Sequence, residues 1–89
     1  GPPDVMTASA VRAIVGDTVY LPCFVEGVPT PETVWFRHHA ELPPNSHVFP
    51  NHTLKLAGLT ADDAGYYVCS ATNALGKDEI TTSVLLYRK

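Results

Sequence analysis

Basic residues are scarce in this chain of 89 residues. Six Lys and Arg stand against nine Asp and Glu, which gives a formal net charge of −3 with histidine neutral. A nucleic-acid-binding surface needs clustered Lys and Arg to displace phosphate counterions, and the sequence has no such cluster. Binding to an anionic membrane surface is excluded for the same reason. No apolar run approaches the roughly 20 residues that cross a bilayer as a helix, so we expect no direct membrane insertion by this segment.

Motifs for catalysis and cofactor binding are missing as well. The sequence has no glycine-rich phosphate loop, and none of its serines lies in a nucleophile motif. Two cysteines are too few ligands for a zinc site. His38 and His39 are adjacent, so on a strand they point to opposite faces and cannot easily share a metal ion. We therefore expect a protein that is not an enzyme and that holds no cofactor and no metal.

Eight prolines are spread along the chain and argue against any long helix. Short runs rich in Val, Ile, Leu, Tyr and Thr alternate with turn signals at intervals of about ten residues, which is typical of an all-β protein. A chain of this length forms one domain, and its core is marginal without a cross-link. The predicted strands are 11–14, 18–25, 33–38, 48–49, 53–56, 66–72 and 80–87, with a single helical turn within 60–65.

Pro22 lies inside the clearest of these predicted strands, residues 18–25. It removes one N–H donor from the ladder of what is expected to be an interior strand. Its side chain points outward in the alternation, since Leu21 and Cys23 share the opposite, apolar face. We therefore expect a local gap in the pairing and not a broken strand.

The most specific pattern in the sequence joins two cysteines, a tryptophan and an acidic-glycine-tyrosine run. Its members are Cys23, Trp35, Leu59, Asp63, Gly65, Tyr67 and Cys69. The last four form the pattern Asp-x-Gly-x-Tyr-x-Cys. In these residues the chain resembles the immunoglobulin superfamily, and within it the intermediate (I) set. The resemblance covers residues 3–89, while Gly1 and Pro2 are interpreted as the remnant of a cleavage site. Both ends indicate that the natural protein is longer.

The resemblance implies the fold and the cross-link. It implies an immunoglobulin-like β-sandwich of two antiparallel sheets in Greek-key topology. Cys23 and Cys69 would form the disulfide that joins the sheets, with Trp35 packed against the sulfur atoms.

The resemblance also implies roles for the residues before the second cysteine. Tyr67 would form a tyrosine corner, its hydroxyl donating to backbone a few residues upstream. Asp63 would cap or pair at the bend, and Gly65 would permit the tight backbone there. Leu59 belongs to the same fold-holding set. All of these residues, with the cysteines and the tryptophan, are expected to hold the fold and to do nothing else.

Asn51-His52-Thr53 is an acceptor sequence for N-glycosylation. It falls at an expected hairpin tip, where a glycan would meet solvent. Such triplets also arise by chance, and they stay unmodified in the cytosol. The expected disulfide favours the secretory route, so we expect Asn51 to be glycosylated.

One face of the sheet that contains Trp35 is expected to be apolar although it points to solvent. We call this the interaction face, and its predicted members are Val34, Phe36, Tyr66, Val68, Leu85 and Tyr87. Large exposed apolar patches tend to be interaction sites. A slip of one residue in the last strand would instead turn Leu85 and Tyr87 inward. Loops or a neighbouring domain covering the face are the other alternative.

The sequence leaves two functions open. The first is a protein-recognition module, one domain of a larger extracellular cell-adhesion, receptor or matrix protein, whose partners are other proteins, with a second copy of the chain among the candidates. The second is an intracellular domain of a muscle or cytoskeletal protein, acting as a mechanical spacer and docking scaffold in the cytoplasm. An inert spacer beside a kinase or phosphatase domain is a weaker variant. The glycosylation triplet and the cysteine pair favour the first.

Overall fold

The computed structural model describes residues 1–6 and 10–89, and residues 7–9 of the predicted domain lie outside the described part. Short strands account for most of the regular structure, and the only helical element in the described part is a single 3-10 turn. The strands are β1 (Asp4–Met6), β2 (Ala10–Ile14), β3 (Val19–Leu21), β4 (Phe24–Glu26), β5 (Glu32–Arg37), β6 (Ser46–Val48), β7 (Leu54–Leu56), β8 (Gly65–Asn73) and β9 (Gly76–Tyr87), with the 3-10 turn at Ala61–Asp63.

The larger sheet has four strands in the order β2-β9-β8-β5. Its centre is the long antiparallel hairpin of β8 and β9, which closes where Asn73 pairs with Gly76. Strand β5 lies antiparallel to β8, with Trp35 opposite Cys69. Strand β2 runs parallel to β9, from the pair Ala10 and Ser83 onward. The all-β sandwich prediction is confirmed, and this one parallel pair departs from the purely antiparallel sheets that were expected.

The opposite layer consists of a three-stranded ladder, β3-β7-β6, and a two-stranded ladder, β1-β4. The prediction of a single strand over residues 18–25 is wrong, because the chain forms two strands there, separated by Pro22 and Cys23. Before the proline the chain pairs with β7, and after it the chain pairs with β1. A proline has no N–H to give to a ladder, so the change of pairing partner falls where the ladder is weakest.

The core lies between the two layers and follows the period-two alternation of the strands. In β7, Leu54 and Leu56 are fully buried while Lys55 between them is not. In β3 and the segment after it, Leu21 and Cys23 are buried while Tyr20 is 56% exposed. This alternation gives each sheet one apolar inner surface and one outer surface. The buried cluster of the core is Val5, Ala13, Leu21, Cys23, Trp35, Leu54, Leu56, Leu59, Tyr67, Cys69, Ala71 and Val84.

Candidate functional site

A disulfide between Cys23 and Cys69 joins the two layers through the core, with the Cα atoms 6.5 Å apart. Trp35 is the register partner of Cys69 on the neighbouring strand and is only 4% exposed. Its indole Nε1 donates a hydrogen bond of 2.6 Å to the carbonyl oxygen of His52. The indole therefore fills the core and also fastens the 49–53 turn to it.

The corner before β8 is held by Asp63 and Tyr67. The Tyr67 hydroxyl donates to the Asp63 carbonyl oxygen at 2.6 Å in a fully buried position. The Asp63 carboxylate accepts from the Thr60 backbone N–H at 2.9 Å and from Asn45 Nδ2 at 3.3 Å. Buried polar atoms are costly unless they are paired, and these atoms are paired. The corner is therefore a rigid support for the start of β8.

Arg37 also stabilises this corner, and no sequence motif identified it. Its Nη2 donates to the carbonyl oxygens of Asp62 at 3.0 Å and Ala64 at 3.1 Å. Its guanidinium carbon lies 5.0 Å from the centre of the Tyr67 ring. At Gly65, φ is +145°, and a Cβ built there would stand 3.4 Å from Arg37 Nη2. Arg37 lies two residues after Trp35 and so on the inner face, which is the signal that could have identified it.

Tyr67→Phe is expected to destabilise the domain by about 1–2 kcal/mol at neutral pH, because the buried Asp63 carbonyl loses its donor. Burial raises the pKa of the Tyr67 hydroxyl above its ordinary value of 10.0, with Arg37 acting in the opposite direction and Asp63 in the same direction as burial. The folded state then holds this proton more tightly than the unfolded state. The stabilisation is complete below pH 10.0 and is lost as the pH rises through the folded pKa.

Urea unfolding between neutral and alkaline pH checks this prediction. Above the ordinary tyrosine pKa, wild-type stability should fall by up to about 1.4 kcal/mol per pH unit from this group. Tyr67→Phe should lack that component. The matched control is Tyr66→Phe, whose ring is 56% exposed and whose stability should stay within about 0.5 kcal/mol of wild type. Equal alkaline slopes in wild type and Tyr67→Phe would contradict the assignment.

The interaction face is the outer surface of the larger sheet. Five of its six predicted members are solvent-exposed: Val34 (53%), Phe36 (37%), Tyr66 (56%), Leu85 (40%) and Tyr87 (49%). Val84, just before Leu85, is 1% exposed, and Leu86, between Leu85 and Tyr87, packs against the core, so the last strand has not slipped by one residue. Leu85 lies beside Arg12 of β2, and the Tyr66 ring lies 6.0 Å from that of His38. These five residues form the exposed interaction face.

Val68 is the exception, because it is only 2% exposed, so the prediction that it adds to the exposed face is wrong. Its position in the alternation does place it on the outer side of the sheet, in register with Phe36 on one neighbouring strand and Thr81 on the other. A side chain in a central strand is covered by its cross-strand neighbours. Val68 therefore lies beside Phe36 on the same face and offers little surface of its own.

The acceptor triplet lies in the turn that connects β6 to β7. Asn51 is exposed, and its Oδ1 accepts a hydrogen bond of 3.1 Å from the backbone N–H of Thr53. His52 has a positive φ of 73°. The triplet is thus at a tight tip, as the sequence predicted.

In residues 1–6 and 10–89, no group of three or more His, Cys, Asp and Glu side chains is placed to hold a metal ion. Within the same part of the chain, no helix has the length and apolar character to cross a membrane.

Comparison with known proteins gives the family. A family model described as immunoglobulin I-set domain matches residues 5–86. The mouse basement membrane-specific heparan sulfate proteoglycan core protein is 39% identical over 75 residues, which is 84% of this chain and 2% of that protein. The mouse neural cell adhesion molecule L1-like protein is 40% identical over 78 residues, which is 85% of this chain and 6% of that protein.

A solved structure supports the same conclusion. A chimeric titin superimposes with a TM-score of 0.89 at 25% identity, and the match covers 100% of this chain and 97% of that one. The family is one of adhesion and binding modules, and the chain spans only a few per cent of the two curated relatives named above. With the disulfide, the buried indole and the tyrosine corner all present in one sandwich, this chain belongs to the immunoglobulin I-set family.

Proposed function

We propose that this domain is a non-catalytic recognition module of a larger extracellular adhesion, receptor or matrix protein, and that it binds protein through the interaction face. The observation that carries the proposal is the exposure of five aliphatic and aromatic side chains on one side of one sheet. Scattered apolar residues are normal on a surface, whereas a shared face of them marks contact sites. The disulfide and the adhesion and matrix relatives support an extracellular setting.

The face is built on a rigid base, which favours recognition. Tyr66 and Phe36 lie on β8 and β5, and Val68, buried between the strands, fixes the Phe36 side of the patch. The corner hydrogen bond of Tyr67 holds the first residues of β8 in place. Aromatic side chains on a fixed backbone lose little entropy when a partner covers them, and they are frequent among residues that dominate binding energy.

The partner that we propose is a second copy of the chain. The interaction face has a basic residue, Arg12, at the Leu85 end. At the other end, Glu79 lies in register with Ser70, and Glu32 and Lys77 lie in register with Thr72. Lys77 forms an ion pair of 3.1 Å with Glu79, so the two glutamates and the lysine leave one net negative charge at this end. Two copies facing each other about a twofold axis perpendicular to the strands bring each basic end onto the partner's acidic end. Such an interface uses the same patch on both copies, as twofold contacts require.

Replacing Tyr66 with glutamate should weaken self-association by at least roughly tenfold, because a charge would be buried at the centre of the contact. Sedimentation equilibrium from micromolar to millimolar concentration measures the dissociation constant. Tyr20→Glu is the matched control, since Tyr20 is also 56% exposed but lies on the opposite layer. It should leave association unchanged. A wild type that stays monomeric throughout, or equal effects of the two substitutions, would contradict the proposed contact.

The intracellular scaffold is the second candidate, and the likeness to titin favours it. In that setting the cysteines would stay reduced and Asn51 would stay bare. Mass spectrometry of the natural protein under non-reducing conditions distinguishes the two settings. Two free thiols together with an unmodified Asn51 would favour the scaffold, and a bridge together with a glycan would favour the extracellular module.

A further inference from the structure

The turn that carries the acceptor triplet is closed by two backbone hydrogen bonds. The His52 N–H donates to the Phe49 carbonyl oxygen, and the Phe49 N–H donates to the Thr53 carbonyl oxygen, each at 2.9 Å. The bond from the Trp35 indole to the His52 carbonyl ties the turn to the core. Phe49 and Asn51 are therefore held two residues apart on one rigid five-residue loop.

An aromatic cluster that includes Phe49 of this loop lies on the outer side of the three-stranded ladder β3-β7-β6. Phe49 packs edge-on against His47, with ring centres 4.7 Å apart. It also stacks on Tyr20 at 6.4 Å with the planes 30° apart. Tyr20 is 56% exposed and Phe49 is half-buried. We call Phe49, Tyr20 and His47 the aromatic platform. These side chains offer an aromatic surface next to the acceptor turn, and Lys55 Nζ lies 6.0 Å from the centre of the Tyr20 ring.

We propose that Asn51 carries an N-linked glycan and that its first sugar packs on the aromatic platform. The proposal rests on the extracellular setting proposed above, because the modification takes place in the secretory route. There Asn51 Nδ2 forms a bond to the anomeric carbon of an oligosaccharide donor linked to a lipid diphosphate. The bond from that carbon to the diphosphate oxygen breaks, the amide loses one proton, and the lipid diphosphate leaves.

The chemistry of the contact follows from the two surfaces. One side of an N-acetylglucosamine ring presents axial C–H groups, which form an apolar surface that packs well on an aromatic face. The covalent bond to Asn51 removes the cost of bringing the sugar to the ring, so even a weak contact is occupied. The side-chain Oδ1 of Asn51 accepts a hydrogen bond from the Thr53 backbone N–H, which limits the directions that the attached sugar can take.

This contact also divides the domain into two sides. The aromatic platform lies on the outer face of the ladder β3-β7-β6, because Tyr20, Lys55 and His47 share one register row there. The interaction face lies on the outer side of the other sheet. A glycan folded onto the platform would cover the first surface and leave the second open. It would thereby restrict protein contacts to the interaction face.

The test begins with secretion of the chain from a mammalian host. Asn51→Gln should abolish a mass shift that is sensitive to peptide N-glycosidase. An endoglycosidase then trims the wild-type glycan to one sugar, and urea unfolding compares this form with Asn51→Gln. We expect the single sugar to raise the folded-to-unfolded ratio by roughly two- to tenfold, the range of one aromatic stacking contact.

Substitution of the platform isolates the packing. In Phe49→Leu, the single sugar should no longer raise the folded-to-unfolded ratio beyond experimental error. Phe24→Leu is the matched control, since Phe24 is 63% exposed on β4 of the same layer, away from the turn. It should keep the full gain. If Phe49→Leu does not fold, Tyr20→Leu is used in its place, with a partial loss of the gain expected.

The outcomes separate this proposal from the function on which it rests. An unmodified Asn51 in secreted protein overturns the glycan. A modified Asn51 with the same gain in wild type and Phe49→Leu overturns the packing on the platform. Neither result bears on self-association through the interaction face, which the Tyr66→Glu experiment decides on its own.

Discussion

We expect the paired substitutions Cys23→Ala and Cys69→Ala, which remove the cross-link, to lower the free energy of unfolding by about 4 kcal/mol. The bridge joins residues 46 positions apart, so it removes much of the freedom of the unfolded chain. Both cysteines are at most 2% exposed, so their loss also removes packing in the core. Small domains have a total stability of about 5–15 kcal/mol, and this loss is a large part of it.

Denaturant unfolding of three samples separates the two effects. Reduced wild type keeps both sulfur atoms and loses only the bond, whereas the alanine pair loses both. We expect the reduced protein to account for most of the loss and the alanine pair to be slightly less stable again. A reduced protein within about 1 kcal/mol of the oxidised one would contradict the entropic argument. It would also remove one physical reason for preferring an oxidising setting.

The outward members of the interaction face were predictable because strand alternation is local. Trp35 is apolar and belongs inside, so Val34 and Phe36 on either side of it must point out, and both are exposed. The same reasoning correctly gives the direction of Val68 but not its exposure. Exposure also depends on which strands flank β8. Those neighbours, β9 and β5, are set by the fold and not by a local pattern.

The elements that sequence reasoning missed depend on long-range contacts. Strand β1 has only three residues and follows two prolines, so no local pattern marks it. It exists because it pairs with β4 and because the Val5 N–H donates to Asp78 Oδ2 at 3.0 Å, 73 positions away in the chain. The parallel pairing of β2 with the last strand is of the same kind. Register between distant segments is a property of the assembled sandwich.

The polar groups of the corner also depend on long-range contacts that no local pattern marks. The pattern of Asp63, Gly65 and Tyr67 identifies a bend, and the structure has one there. The pattern does not identify Asn45 and Arg37, which complete the corner from other segments. A buried carboxylate needs donors, but a sequence does not say which distant side chain supplies them.

Trp35→Ala is expected to cost about 3–5 kcal/mol, because a large buried side chain leaves a cavity between the sheets. Phe36→Ala, one position along the same strand, should cost less than about 1 kcal/mol, because Phe36 is 37% exposed whereas Trp35 is 4% exposed. The two variants together test the assignment of inner and outer faces. Comparable losses would mean that the faces are not distinguished by burial.

Trp35→Phe separates the two contributions of the indole. It keeps most of the apolar volume but removes the donor to the His52 carbonyl, so a loss of about 1–3 kcal/mol is expected. Hydrogen exchange measured by NMR should then show faster exchange of the His52 and Thr53 amides, while the amides of β8 keep their order of protection. If the turn amides are unaffected, the indole does not hold the turn. The rigid presentation of Asn51 then has another origin.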